Sequence, residues 1–133
     1  MHEERIRIRW RDIDNYGHVN NAVYLNYLEE CRDRLIEDLF GAQGAWDFVL
    51  VHVGIDFRRQ LTQEDGEVVV HCEVVSFGTS SIRTSERIGI ADGTVAAEAE
   101  SVIVPRASDR PVSRPLSDRE RTLLEAAVRD GSA

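Results

Sequence analysis

The chain has 133 residues, of which 42% are hydrophobic and 30% charged, and its formal net charge is −8. A chain of this length buries roughly two-thirds of its unfolded surface, so we expect one domain over residues 1–133. The acidic balance argues against a nucleic-acid partner, and no apolar run is long enough to cross a membrane. The N-terminus lacks the layout of a signal peptide, so a cytoplasmic protein with no membrane partner is predicted.

The first predicted element is a strand over residues 4–11. Ile6, Ile8 and Trp10 alternate there with arginines, and a period of two is typical of a half-buried strand with one charged face. We interpret the arginines as a solvated face of the sheet rather than as a phosphate site.

A long amphipathic helix is predicted from Asn21 to about Phe40, because apolar residues recur there at steps of three and four. Asn20 or Asn21 is suited to cap its start, and Gly41 to end it. Charged residues lie between the apolar ones, namely Glu30, Arg32, Asp33, Arg34 and Glu37.

Four strand-like segments follow the helix. They cover residues 48–61, 67–77, 80–90 and 95–104. Asp92-Gly93 predicts a two-residue hairpin turn between the last two, with positive φ at both central positions. The final three strands are therefore expected to form an antiparallel meander.

The C-terminal part reads as an irregular arm over residues 105–116, which contain three prolines, and a short helix over 117–129. Ser117 and Glu120 form a capping-box pattern at the start of that helix. One long helix beside many strands predicts an α+β domain with the sheet wrapped around the helix. Long sheet edges usually need cover, which predicts a homodimer.

Neither a metal site nor a cofactor is predicted. Cys31 and Cys72 lack metal-type spacing and are interpreted as small buried hydrophobic residues. The four histidines are scattered along the chain.

The segment from Asp12 to Tyr24 concentrates polar side chains where a strand ends and the helix begins. A carboxylate near a helix N-terminus is stabilised in its charged form, so Asp14 is suited to act as nucleophile or general base. The Asn21 N–H is suited to bind a carbonyl oxygen that develops negative charge. The alternative is that Asp12 and Asp14 only shape an Asx-type turn.

Residues 11–21, Arg-Asp-Ile-Asp-Asn-Tyr-Gly-His-Val-Asn-Asn, resemble the hotdog-fold thioesterases of the 4-hydroxybenzoyl-CoA thioesterase-like family. They also resemble the Asp-x-Asp-x-x-x-His-Val-Asn-Asn region of plant acyl-carrier-protein thioesterases, although Tyr16 stands where those carry a catalytic Asn. Residues 53–59 and 78–81 are similar to further segments of the family. The resemblance runs from about residue 5 to about residue 105.

The resemblance implies a hotdog fold, a five-stranded antiparallel sheet of order 1-3-4-5-2 around one long helix. It implies a homodimer or homotetramer with sites at the subunit interface, and hydrolysis of an acyl-CoA or acyl-carrier thioester. Asp14 matches the catalytic carboxylate, and the Asn21 amide matches the group that polarises the thioester carbonyl. The alternatives are a non-catalytic acyl-CoA binder and a hydratase or dehydratase, although the sequence setting of the latter is missing here.

Further site residues are assigned through the resemblance. His18 either orients water, bonds the substrate carbonyl or is structural, and Glu29 is either a site residue or a polar residue at the dimer contact. Asp12 is assigned a structural role. Candidates to bind the substrate or the phosphates of coenzyme A are Gly17, Tyr24, Glu29, Arg58, Arg59, Ser80, Ser81 and Arg106. The aromatic residues that could floor an acyl pocket, or belong to the plain core, are Tyr24, Tyr27, Trp46 and Phe48.

Overall fold

A computed structural model describes residues 1–42 and 47–131, so Trp46, one of the residues predicted to floor a pocket, lies outside the described residues. The elements are β1 (His2–Arg7), α1 (Asn21–Phe40), β2 (Phe48–Phe57), β3 (Glu67–Phe77), β4 (Ile82–Gly89), β5 (Val95–Pro105) and α2 (Asp118–Gly131). The strands form a five-stranded antiparallel sheet of order β1-β3-β4-β5-β2. This confirms the predicted α+β architecture and strand order of the hotdog fold.

Helix α1 begins and ends where its caps were predicted. The Asn20 Oδ1 accepts a hydrogen bond from the Ala22 N–H at 2.9 Å. At the other end Gly41 has a φ of 96°, and its N–H donates to the Glu37 carbonyl at 2.8 Å. Both caps satisfy backbone groups that a helix end otherwise leaves unbonded.

The core lies between α1 and the inner face of the sheet. The buried apolar residues of the helix are Tyr24, Tyr27, Leu28, Cys31, Leu35, Ile36 and Phe40. They meet the alternate residues of β3 that were predicted to share one face, Val68, Val70, Cys72 and Val74. Each fully buried aliphatic side chain contributes about 1.5–3 kcal/mol, so this layer holds the helix against the sheet. Cys31 and Cys72 are free and buried, as predicted.

The first strand is shorter than predicted, because it ends at Arg7 rather than at residue 11. Residues Trp10–Asp12 form a 3-10 turn, and Trp10 is 79% exposed instead of continuing the buried face. The Asp12 carboxylate accepts hydrogen bonds from the Arg9 N–H at 2.9 Å and the Arg9 guanidinium at 3.2 Å. These local bonds compete with strand pairing and curl the chain.

Strand β2 forms one long edge of the sheet and ends at Phe57 rather than at residue 61. The N–H groups of Arg58 and Arg59 both donate to the Ala96 carbonyl, at 2.8 and 3.1 Å. The chain therefore turns away from the sheet at this point.

The hairpin between β4 and β5 has a three-residue loop, so the prediction of a two-residue turn is wrong. The Ile90 N–H donates to the Thr94 carbonyl at 3.0 Å and closes the loop over Ala91, Asp92 and Gly93. Only the glycine has a positive φ, 91°, among these described residues. Asp92 instead keeps an ordinary φ and accepts the Thr94 N–H at 2.8 Å.

The predicted arm is largely irregular, although Pro105 belongs to β5. Ser117 caps α2 through its Oγ, which accepts the Glu120 N–H at 3.1 Å, and the Glu120 carboxylate accepts the Ser117 N–H at 2.8 Å. The Arg114 guanidinium also binds both Glu120 oxygens, at 2.7 and 3.0 Å, and holds the pKa of that carboxyl below its usual range. The arm is thereby attached to the start of α2.

Candidate active site

The turn before α1 is a small hairpin. Ile13 and Val19 form an isolated antiparallel bridge, and the Asp14 N–H donates to the His18 carbonyl at 2.8 Å. The Gly17 N–H donates to the Asp14 carbonyl at 3.2 Å. Gly17, one of the residues predicted to bind the substrate, has a φ of 83°, in the left-handed region that favours glycine, so it shapes the turn.

The Asp14 carboxylate uses one of its two oxygens inside the turn. Its Oδ1 accepts hydrogen bonds from the Tyr16 N–H at 2.9 Å and the His18 N–H at 3.3 Å. Its Oδ2 has no hydrogen-bond partner among the residues that the structure describes. The side chain is half-buried. Asp14 therefore shapes an Asx-type turn through one carboxylate oxygen and leaves the other unbonded among the described residues.

Asp12 has a different environment, in keeping with the structural role assigned to it. It is 2% exposed, and its Oδ2 accepts the Tyr27 hydroxyl at 2.9 Å. Burial acts to raise the pKa of Asp12, but the hydrogen bonds from Arg9 and Tyr27 outweigh burial and lower it. The carboxylate thus stays charged while it ties the turn to α1.

The start of α1 leaves one backbone amide free. The Asn20 N–H donates to the Asp12 carbonyl at 2.9 Å, the Ala22 N–H to the Asn20 side chain, and the Val23 N–H to the Asn20 carbonyl at 2.8 Å. Of the first four N–H groups, only that of Asn21 has no acceptor among the described residues. It is the amide predicted to polarise a carbonyl oxygen.

Tyr24 fixes the start of α1 to the segment that follows β2. It is 2% exposed, and its hydroxyl donates to the Arg59 carbonyl at 3.2 Å and accepts the Leu61 N–H at 3.1 Å. Its ring meets Phe57 edge-on, with the centroids 5.0 Å apart. The Val19 N–H donates to the Leu61 carbonyl at 2.7 Å, so the turn is bound to the same segment. The structure therefore places Tyr24 in the core, behind the site.

The residues predicted to bind phosphates fall into two groups. Arg58 and Arg59 lie beside the start of α1, where they form ion pairs with Glu98 at 3.2 Å and Asp65 at 3.1 Å.

The second group lies at the opposite end of the sheet. Ser80 and Ser81 precede β4, and Arg106 follows β5 beside the start of β2, where its N–H donates to the Asp47 carbonyl at 2.7 Å. A strand as long as β2 spans about 30 Å, so a single copy of the chain does not bring the two groups together.

A cavity of about 200 Å³ lies between α1 and the β2 edge. Its lining residues are Glu29, Arg32, Asp33, Ile36, Phe48, Val49, Leu50 and Ile103. Phe48, which was predicted to floor a pocket, lines this cavity, whereas Tyr24 and Tyr27 do not. Burial, followed by the charge of Glu29, raises the pKa of Asp33 at this cavity.

A buried polar cluster beneath this cavity escaped the sequence analysis. Arg32 was grouped with the charged residues between the apolar positions of α1, but it is 5% exposed. Its Nη1 donates to the Glu86 Oε1 and the Ser101 Oγ, both at 3.3 Å. The Thr84 hydroxyl donates to the same Glu86 oxygen at 2.8 Å.

One sequence signal could have revealed this cluster. Thr84 and Glu86 share their side of β4 with Ile82 and Ile88, which are buried. A glutamate at an inward-facing position needs a cationic or hydrogen-bonding partner, which Arg32 supplies.

No group of three or more His, Cys, Asp or Glu side chains among the described residues is arranged to hold a metal ion. In the same part of the chain, no helix is both long and apolar enough to span a membrane.

The chain is similar to known thioesterases in sequence and in structure. The family model of the thioesterase-like superfamily matches residues 8–121. The Escherichia coli (strain K12) long-chain acyl-CoA thioesterase FadM is 28% identical over 132 residues, which are 96% of this chain and 94% of FadM.

Two solved structures are similar over nearly the whole chain. A thioesterase from Thermus thermophilus, complexed with coenzyme A and Zn, is 31% identical with a TM-score of 0.84, over 96% of this chain and 93% of that one. A predicted thioesterase from Bacillus stearothermophilus is 26% identical with a TM-score of 0.85, over 96% of both chains.

Proposed function

Because the chain belongs to the thioesterase-like superfamily, we propose that it hydrolyses an acyl-CoA thioester to a carboxylic acid and free coenzyme A. The observation that supports this most directly is the pairing of two unused groups. The Asp14 Oδ2 and the Asn21 N–H both lack a partner among the described residues, and the same short turn presents them. Thioester hydrolysis requires an attacking or activating group and a donor for the carbonyl oxygen, and these two supply them.

The reaction follows from the charges at the turn. The Asp14 Oδ2 either attacks the thioester carbonyl carbon or takes a proton from a water that attacks it. The carbonyl oxygen gains negative charge as the new bond forms, and the Asn21 N–H at the positive end of α1 stabilises it. When water attacks, the C–S bond breaks, the thiol leaves with the proton that Asp14 took, and the carboxylic acid is released. When Asp14 attacks, the C–S bond breaks with loss of the thiolate and leaves an acyl anhydride on Asp14. A water then hydrolyses this anhydride, which frees the carboxylic acid and Asp14 and returns a proton to the thiolate.

His18 is proposed to assist at the same carbonyl. The His18 backbone is held by two hydrogen bonds, one from its N–H to the Asp14 Oδ1 and one from the Asp14 N–H to its carbonyl. Its half-buried ring makes no hydrogen bond or ion pair to the described residues. An imidazole with a free nitrogen can orient water or bond the substrate carbonyl.

A second copy of the chain is proposed to complete the site. Strand β2 is an edge of the sheet, yet Leu50, Val51 and Phe57 on it are 44%, 58% and 46% exposed. A long apolar edge with unpaired backbone groups favours pairing with another strand. Antiparallel pairing of β2 with its copy covers this edge in a homodimer, and homotetramers can form from such dimers.

That pairing also brings the separated residues together. A two-fold axis relates the two copies in such a pairing, so the start of one β2 lies opposite the end of the other. The end of β2, at Phe57, contacts Tyr24 beside the Asp14 turn, whereas the start carries the cavity and lies next to Arg106. The acyl cavity and Ser80, Ser81 and Arg106 of one protomer are thus expected to serve the Asp14 turn of the other.

A thiol-release assay on a panel of aliphatic and aromatic acyl-CoAs tests the proposal, with an acyl-carrier-protein thioester as a parallel arm. We expect release of coenzyme A with at least part of the panel. Tight binding without thiol release would instead support the non-catalytic binder. Loss of enoyl absorbance without thiol release would support the hydratase or dehydratase.

A further inference from the structure

The cavity between α1 and the β2 edge has a buried arginine in its wall. Arg32 uses only its Nη1, which donates to Glu86 and Ser101 at 3.3 Å. Neither its Nε nor its Nη2 makes a hydrogen bond within the described part of the chain. A guanidinium carries five N–H donors, so several of them are unused.

The unused donors of Arg32 are not fully enclosed by the protein. The Glu86 Oε2 is the one fully buried side-chain nitrogen or oxygen without a partner among the described residues. The free nitrogens of Arg32 are therefore not enclosed by protein. Since Arg32 lines the cavity, this space is where a ligand can reach its free N–H groups.

The charges around the cavity favour a neutral acceptor over an anion. Glu86 balances the charge of Arg32, because its carboxylate is completely buried against the guanidinium. Glu29 and Asp33 add two further acidic groups to the lining, and burial raises the pKa of Asp33. A carboxylate entering this cavity would meet two acidic side chains in its wall, Glu29 and Asp33, and one arginine whose charge Glu86 already balances.

The size of the cavity limits what can reach Arg32. Its volume is about 200 Å³, and its remaining wall is apolar, with Ile36, Phe48, Leu50 and Ile103. A cavity of about 150 Å³ holds a benzene molecule, so this one suits a chain segment or ring of about six to eight carbons.

We propose that Arg32 selects acyl groups that carry a hydroxyl or oxo oxygen, to which its free N–H groups donate inside the cavity. The inference rests on the proposed thioester hydrolysis, since it concerns the acyl group of the same substrate. A plain alkyl chain would cover these donors and leave them without an acceptor, which weakens binding. Since the cost is that of unsatisfied donors, the plain chain should be disfavoured by about tenfold to a hundredfold in kcat/KM.

The test compares octanoyl-CoA with a series of octanoyl-CoAs that carry one hydroxyl, moved along the chain, and with the analogue that ends in a carboxylate. We expect at least one hydroxylated isomer to exceed octanoyl-CoA in kcat/KM about tenfold or more, and the carboxylate to fall below octanoyl-CoA. The inference is overturned if no isomer exceeds octanoyl-CoA.

Two variants show whether Arg32 is the origin of the preference. Arg32→Lys keeps the positive charge beside Glu86 but removes the planar fork of donors. The pair Arg32→Met with Glu86→Leu removes both buried charges together, which avoids leaving one of them unpaired. Both should bring the ratio of hydroxylated to plain substrate close to one, whereas Arg34→Met, at an exposed position of the same helix, should leave the ratio unchanged. A ratio that survives in both variants contradicts the inference.

Failure of the proposed function would be seen separately. If wild-type protein releases no thiol from any acyl-CoA, hydrolysis is wrong, and the same pairs of thioesters are then compared by calorimetric binding. A tighter Kd for a hydroxylated isomer that is lost in Arg32→Lys would still support the selection by Arg32. Equal Kd values would overturn it.

Discussion

At the scale of single residues, Asp12 and Asp14 show how two neighbouring carboxylates take different roles. Asp12 is buried and bonded to Arg9 and Tyr27, whereas Asp14 is half-buried with its Oδ2 free among the described residues. The sequence analysis assigned Asp12 a structural role, which its contacts fit, and the catalytic role that it assigned to Asp14 stays a prediction. The sequence alone could not predict the free oxygen of Asp14, because that depends on which backbone N–H groups the folded turn directs at the carboxylate.

Replacing Asp12 with Asn should destabilise the fold by about 1–3 kcal/mol at neutral pH, because the Tyr27 hydroxyl and Arg9 lose a charged acceptor. The pKa of Asp12 is lower in the folded chain than in the unfolded one. The charged Asp12 carboxylate therefore stabilises the fold in full above about pH 4. This stabilisation is lost as the pH falls through the pKa that Asp12 has in the folded chain.

Urea unfolding of Asp12→Asn and wild type across this pH range measures the effect. The difference in free energy of unfolding should shrink toward acid pH, and Asp109→Asn, at an exposed residue of the arm, should show no difference. A difference that stays constant below about pH 4 would contradict the charge-based explanation.

Arg32 and Glu86 mark where residue-level reasoning from sequence stops. The helical pattern places Arg32 next to Cys31, at the border of the apolar stripe, and gives no measure of its burial. Its burial depends on a glutamate of β4, 54 positions further along the chain. The inward position of Glu86 on β4 can be seen in the sequence, but its pairing with Arg32 becomes visible only when the strand and the helix are packed together.

At the scale of elements, caps and turns decided how well the sequence predicted the structure. The bounds of α1 agree because Asn20 and Gly41 act locally, as capping residues do in any helix. The strand over residues 4–11 was predicted too long because periodicity does not register the bonds between Asp12 and Arg9. The hairpin at Asp92-Gly93 was assigned the wrong loop length because the same dipeptide fits turns of two and of three residues.

The cap of α1 should matter for both stability and catalysis. Asn20→Ala removes the acceptor of the Ala22 N–H, which should cost about 1 kcal/mol of stability. The loss of the cap also loosens the start of the helix, where the Asn21 amide lies. If the activation free energy rises by the same amount, turnover falls about fivefold.

Thermal unfolding and steady-state turnover check this, with Asn26→Ala at an exposed position of the same helix as the control. The Asn20 variant should lose both properties, and the control should keep both. An Asn20 variant with lower stability but full turnover would show that the Asn20 cap does not hold the Asn21 amide in position for catalysis.

At the scale of the whole molecule, the proposed site is divided between the two ends of the sheet. The Asp14 turn lies at the end of β2, and the cavity lies at its start. No pattern in one chain reports how two copies meet, so the sequence indicated a dimer only through the resemblance and the need to cover a sheet edge.

Val51→Lys should break the proposed homodimer and the activity together. Val51 is 58% exposed on β2, and antiparallel pairing brings the two lysines near each other, at a cost of several kcal/mol. Val75→Lys, at a residue of β3 that is 50% exposed, is the matched control. Sedimentation and turnover at equal concentration should show an inactive monomer for Val51→Lys and an active dimer for Val75→Lys. A fully active monomer would contradict a site shared between protomers.

The most direct test of the proposed chemistry is thiol release by Asp14→Asn. Asparagine keeps an oxygen for the Tyr16 and His18 N–H groups, so the turn is retained, but it is neither a base nor an effective nucleophile. Asp92→Asn makes the same change at another aspartate whose side chain accepts a backbone N–H in a turn. We expect turnover to fall at least about 100-fold in Asp14→Asn and to stay at the wild-type level in Asp92→Asn. Turnover near the wild-type level in a correctly folded Asp14→Asn would contradict thioester hydrolysis by this carboxylate.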